Sequence, residues 1–373
     1  MSAKRREAEE QIKLAEKHLT KTMFRWQPDY MLAAPCLEKA ADAYRSAKEY
    51  DLAKRTFLRA ANVQEKNRSS FRAAQNTENA AKVVIQMLKE NPSTSVESNR
   101  HVMEVKDCYE AVSNHFVEMG ELGKAADALV KGASFCEERK VSSEIIKIMY
   151  INACSLLETQ GKPHFAIETF RKTIGYLVRI EDLSEATKLL QRQVSLFQAI
   201  DQTANVYKCH LSYVILQLAR GDVAAADTYY QTQLQDDGFL HSDECAVTDD
   251  LVRAFQLGNG ELLETTLKKQ TIHFIDHQIG KVARTLKLYG STMNSSAVAN
   301  VGLNVVAHQS AHGGSDVSRV SRKNETPATE FNYEALDLGD GMAVPDKSPS
   351  KHRVDAVAAS STTEMVAEAF DLT

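Results

Sequence analysis

The sequence predicts an all-α fold of antiparallel helical hairpins stacked into one array, and three observations predict it. Between Ser2 and Tyr289 apolar residues recur at helical spacing, with scarcely any strand-like alternation. Glycine and proline breaks divide this stretch into about fourteen segments of roughly 12–25 residues, joined by links short enough to force neighbours antiparallel. A weak internal repeat also recurs: Tyr50-Ala53-Phe57, Leu122-Ala125-Leu129, Leu183-Ala186-Leu190 and Val223-Ala226-Tyr230 each set an apolar residue, an alanine and a large residue at i, i+3 and i+7. Small residues at that spacing let helices approach closely. Tetratricopeptide-like hairpins need this, because each pair buries its face only against the next, so the expected fold is a solenoid.

In the first helix Ala8, Ile12, Ala15, Leu19 and Met23 fall on one face, with Lys13, Lys17 and Lys21 elsewhere on the circumference. That face runs into the link Met23-Phe24-Arg25-Trp26-Gln27-Pro28-Asp29-Tyr30, which holds the only tryptophan of the sequence. A tryptophan on a link, ahead of a proline that biases its neighbour away from helical geometry, predicts an exposed anchor. Met23, Phe24 and Trp26 are expected to dip into a bilayer interface while Lys21 and Arg25 meet lipid phosphates. The next helix carries Leu37, Ala40, Ala41, Tyr44 and Ala47, and Pro35 fits only its first turn or a kink. Further on, Val102, Val105, Tyr109, Val112 and Phe116 make a stripe that stops at Gly120, read as a left-handed cap. Other stops fall at Asn91-Pro92, Gly161, Gly221-Asp222, Gly238 and Gly258. Beyond Tyr289 large apolar residues thin out among Gly, Ser and Thr, which predicts a disordered tail over 290–373. At its end Met365, Val366, Ala369, Phe370 and Leu372, set among Glu364, Glu368 and Asp371, suit a short acidic amphipathic helix formed on binding.

With 373 residues and 43% hydrophobic content, the chain can bury a substantial core. No apolar run approaches the roughly 20 residues that span a bilayer, and the basic start leads into glutamates with no apolar signal core, so a cytosolic protein is expected. The net charge of −5 sits in the tail: residues 290–373 hold 11 of the 50 acids and 6 of the 45 bases, which leaves 39 of each in 1–289. A balanced body argues against a nucleic-acid binder. Six scattered cysteines without a Cys-x-x-Cys pair indicate neither a disulfide framework nor zinc. Phosphate-loop, dinucleotide, nucleophile-elbow and zinc-protease motifs are missing, so no enzyme and no cofactor is expected. His273 and His277 stand four apart, but nothing suggests a further ligand and they read as ordinary surface or cap histidines.

The order Trp26-x-Pro28-Asp29-Tyr30, Lys39-Ala40-Ala41, Ala47-Lys48, then Asn62, Arg68, Phe71, Ala73-Ala74 and finally Gly238-Phe239, Ser242, Glu244-Cys245 closely resembles the gamma form of the soluble NSF attachment protein family. The resemblance covers residues 5–288. It implies a twisted sheet of helical hairpins over 1–237 and a small helical bundle over 238–289, ahead of the tail. It also implies a peripheral-membrane adaptor in vesicle transport that binds the four-helix SNARE bundle and recruits the hexameric ATPase NSF. The competing expectation is a generic helical-repeat scaffold of another cytosolic assembly. Carried onto this sequence, the resemblance assigns SNARE contact to Lys48 and Lys172, with Arg171 beside them. Glu121, Asp127 and Glu168 depart from the basic pattern. NSF contact falls to Asp243, Glu244, Asp249 and Asp250, with Arg253 as a departure, and to Asp371 and the penultimate Leu372.

Overall fold

Alanine doublets repeated seven residues on set the spacing of the early helices. Ala33-Ala34 and Ala40-Ala41 lie in one helix, Ala73-Ala74 and Ala80-Ala81 in another, and all eight side chains are fully buried. A helix with neighbours on both flanks needs two adjacent narrow positions every second turn, one for each close approach. The computed structural model describes residues 2–21, 23, 26–91 and 96–288, all within one compact unit of the chain, 1–297. The described residues are helical throughout, with no strand. In order they form α1 (Ala3–Leu19), α2 (Tyr30–Ser46), α3 (Tyr50–Lys66), α4 (Ser70–Glu90), α5 (Val96–Glu118), α6 (Leu122–Glu138), α7 (Ser143–Thr159) and α8 (Pro163–Arg179). There follow α9 (Leu183–Gln198), α10 (Thr203–Ala219), α11 (Val223–Gln233), α12 (Asp237–Leu240), α13 (Asp243–Leu257), α14 (Gly260–Leu267), a 3-10 turn (Gln270–His273) and α15 (His277–Thr285). Each of α1 to α10 packs on its successor, the repeat-like solenoid expected.

One turn is used over and over. Lys48, Arg68, Gly120, Lys140, Gly161, Glu181, Asp201, Gly221 and Gly258 all hold a positive φ between 55° and 78°. At all of them but Gly161 the following amide reaches back to the carbonyl five residues earlier, as Glu49 to Tyr44, Ser69 to Gln64, Glu121 to Phe116 and Asp222 to Gln217. This Schellman bond satisfies a carbonyl left over at the helix end and reverses the chain at once. The next helix then starts in fixed register. Tyr50, Leu122, Leu183 and Val223, the first residues of the sequence repeat, are the first residues of α3, α6, α9 and α11. The alanine of each repeat is fully buried, and its large residue is at most 6% exposed. Pro163-Ala166-Phe170 of α8 follows the same register.

The core lies in successive sections. Ala15, Ala33, Ala34, Leu37, Ala60 and Val63 join α1, α2 and α3, a second cluster runs from Ala8 to Phe135, and a third is continuous from Ala126 to Leu286. The helix α10 is its hub: Leu211, Val214, Ile215, Leu216 and Leu218 are buried, and α9, α11, α13 and α15 all pack on it. A helix apolar on every side has to be covered on every side. Ile279 and Ala283 of α15 turn back toward α8 and α10 and close this end.

Three details differ from the sequence reading. The helix α1 ends at Leu19, where Thr20 turns extended and its hydroxyl bonds the Glu16 carbonyl, so Met23 belongs to the link and not to the stripe. Pro35 is the sixth residue of α2, beyond the first turn. It denies an amide to the carbonyl of Met31, whose side chain is exposed, on a face open to water. Gly238 lies within α12 and is not a break between helices. Its backbone runs beneath Tyr207, whose hydroxyl occupies the space a Cβ would take, so a larger residue there would have to displace that ring. The expected tail lies outside the described residues.

Candidate functional site

The α1–α2 link is fastened at its two ends and open between them. The Asp29 amide donates to the His18 carbonyl at 3.0 Å, and an Asp29 carboxylate oxygen accepts from the Leu32 amide at 3.0 Å, capping α2. The fastened ends leave the apolar side chains outside: Met23 is 91% and Trp26 85% exposed, and Lys21 is exposed beside them. Phe24 and Arg25 lie outside the described residues. Sequence reasoning missed Met31 and Leu32, also exposed in the first turn of α2. Their signal was position, for they precede the buried Ala33-Ala34 doublet without joining its stripe.

The cations assigned to SNARE contact lie on two parts of the array. Lys48 occupies the left-handed position of the α2–α3 turn and its ammonium meets Glu90 at 3.0 Å. Lys172 projects from α8, donates to the Ser134 hydroxyl at 2.6 Å and sits 5.6 Å from the centre of the Tyr150 ring. Arg171, next to it, pairs with Glu168 at 3.0 Å. Arg171 and Lys172 are therefore together, whereas Lys48 is held to the end of α4. Of the departures from the basic pattern, Glu121 pairs with Lys124 and Glu168 is the partner of Arg171, so each acid damps a neighbouring cation.

The acids of α13 divide as well. Ser242 caps the helix, its hydroxyl accepting from the Cys245 amide at 3.0 Å, and Asp243 and Glu244 occupy the first turn, where the helix dipole favours negative charge. Asp249 accepts from the Tyr230 hydroxyl at 3.3 Å and pairs with Arg253, while Asp250 pairs with Lys269. The acid open to a partner is thus at the start of α13, with Asp243 exposed and Glu244 half-buried. Asp371 and Leu372 lie outside the described residues.

Other chemistry is sparse among the described residues. No group of three or more His, Cys, Asp or Glu is arranged to hold a metal ion, and no helix is long and apolar enough to cross a membrane. His273 takes an Arg284 hydrogen bond at 3.3 Å, and His277 opens α15. All six cysteines are free and five are buried. Burial pushes the thiols of Cys108, Cys136 and Cys154 up to about 11 and that of Cys209 to about 12, far from the reactive range.

Residues 6–271 match the family described as "Soluble NSF attachment protein, SNAP". The gamma-soluble NSF attachment protein of Dictyostelium discoideum is 32% identical over 293 residues, 79% of this chain and 86% of that one. Its counterpart in Arabidopsis thaliana is 30% identical over 272 residues, 73% of this chain and 89% of that one. Among solved structures, a circular tandem repeat protein is 13% identical with a TM-score of 0.40 over 74% of this chain and 78% of that one, too loose a likeness to add to the fold. The family match and these gamma-type relatives agree over the helical array: the chain belongs to the soluble NSF attachment protein family, a family of non-enzymatic adaptors for NSF.

Proposed function

We propose that this adaptor binds the SNARE four-helix bundle, recruits hexameric NSF to it for disassembly, and works as a cytoplasmic protein held peripherally at the membrane. In this reading Lys48, Lys172 and Arg171 meet acidic residues of the bundle, because charge spread on a broad face tolerates many partners better than shape-matched apolar contacts do. Asp243 and Glu244, helped by Asp249 and Asp250 and by Asp371 and Leu372, meet NSF. Met23, Trp26 and Lys21, with Phe24 and Arg25, hold the lipid surface. The observation that carries the membrane arm is the link itself, fastened at Asp29 and His18 and exposing its apolar side chains.

Co-sedimentation with a purified SNARE bundle, with and without NSF, tests the adaptor. NSF should join the bundle only when the chain is present, and Lys48→Glu with Lys172→Glu should weaken bundle binding by roughly tenfold or more at low salt. Raising the salt should weaken the parent complex toward the variant. Binding unchanged by both would remove these cations from the contact.

A further inference from the structure

Because successive helices of α1 to α8 run antiparallel through tight turns, the α1–α2, α3–α4, α5–α6 and α7–α8 turns all open on one edge of the array. Contacts among the last three of these turns bear out their place on one edge. His115 near the end of α5 meets Glu65 near the end of α3 at 3.3 Å, and Phe71 at the start of α4 stacks edge-on with Phe116 at 6.5 Å. Lys124 of α6 sits over both rings, and Gln160 of the α7–α8 turn lies within about 3 Å of where a Cβ on Gly123 would be. The edge is unlike its opposite. Every exposed Phe or Trp of α1 to α11 among the described residues is on it: Trp26, Phe71 at 54% and Phe165 at 69% exposure. On the opposite edge Val96 is, among the described residues, the only large apolar residue exposed in the first turn of a helix.

Unpaired charge on this edge is mostly positive. Glu121 pairs there with Lys124 and Glu158 with Arg192, and Glu65 lies 3.3 Å from the His115 ring. Lys21, Lys66, Arg68, Arg72 and Lys162 are exposed there, and none has an ion-pair partner among the described residues. Aromatic rings interleaved with unpaired cations suit the boundary between acyl chains and anionic headgroups.

We infer that the membrane contact is this whole edge, an anionic bilayer surface meeting Trp26, Phe71 and Phe165 in a row with Arg68, Arg72 and Lys162 on lipid phosphates. The inference rests on the membrane reading of the α1–α2 link and extends it across α8. The single tryptophan makes the two separable. With full-length chain on vesicles of phosphatidylcholine and phosphatidylserine carrying brominated acyl chains, Trp26 fluorescence reports the link. Phe165→Trp in a Trp26→Phe background reports the far end of the edge, and quenching of both is the expected result. Quenching in the parent alone would leave the link as the whole contact and overturn the extended edge. No quenching in either protein would overturn the link reading and the edge with it. Arg68→Gln with Lys162→Gln, both at exposed positions, should lower affinity for the anionic vesicles roughly tenfold. Parent-like affinity in that variant would overturn the cation row.

Discussion

Glu104 shows how much of this array's specificity sits in single polar side chains. Burial alone would raise its carboxyl, but hydrogen bonds from Lys54 at 2.7 Å, His101 at 3.0 Å and Arg100 at 3.2 Å overcome that and hold it down to about 2. Lys54 is itself only 8% exposed and joins α3 to α5 through this contact. A folded-state value below the unfolded one contributes stability that is fully present above about pH 4.5 and is lost as pH falls toward 2. Glu104→Gln should therefore destabilise the chain at pH 7 by about 1–3 kcal/mol, a partly screened version of breaking a buried pair. Its stability should also fall less steeply between pH 4.5 and 2. Urea unfolding at pH 7, 4 and 3 measures both, and parallel acid limbs in parent and variant would refute the assignment.

The repeated turn is where the sequence could be read in part and where it could not. Gly120, Gly161, Gly221 and Gly258 announce their left-handed backbone, because glycine alone enters that region without a Cβ penalty. Lys48, Arg68, Lys140, Glu181 and Asp201 adopt the same conformation and give no such sign, since nothing in a lysine or glutamate side chain marks a positive φ. Only Lys48 and Glu181 stand two residues before an apolar-Ala-large repeat, at Tyr50 and Leu183, and no such repeat marks the turns at Arg68, Lys140 and Asp201. The candidate site was legible to the same uneven degree. Trp26 stood out by isolation on a link, whereas Phe71 and Phe165 look like ordinary first-turn residues until the alternation of helices sets them on one edge. The turns make a prediction. Lys140→Gly should raise stability by about 0.5–1 kcal/mol, and Gly161→Ala should lower it by about 1 kcal/mol although nothing lies within 4 Å of the new Cβ. Arg68→Gly should be as stabilising as Lys140→Gly yet lose affinity for anionic vesicles, a gain in fold at the expense of a surface. Thermal and urea unfolding of the three variants check the order.

At the scale of the molecule, charge is what distinguishes the two ends of the adaptor. The 39 acids and 39 bases of residues 1–289 balance, so what that stretch offers a partner is set by where its unpaired charges stand and not by an excess of either sign. On α13 this leaves Asp243 and Glu244 as the open acids, since Arg253 and Lys269 already hold Asp249 and Asp250. The chain's net negative charge lies instead in 290–373, and its last acid, Asp371, immediately precedes Leu372. An acidic segment carrying one or two apolar side chains suits a basic, partly apolar pocket on a neighbouring ring, and its tether raises the local concentration there. Deleting residues 364–373, or making Leu372→Ala, should then lower stimulation of the NSF ATPase while SNARE binding stays as in the parent. Asp243→Asn with Glu244→Gln should act differently, weakening NSF recruitment in co-sedimentation and with it the stimulation. If the deletion stimulates as well as the parent and the α13 variant does not, stimulation arises at the start of α13. The acidic end would then take no part in it, and an adaptor whose charge is concentrated there would be using that charge for something other than NSF.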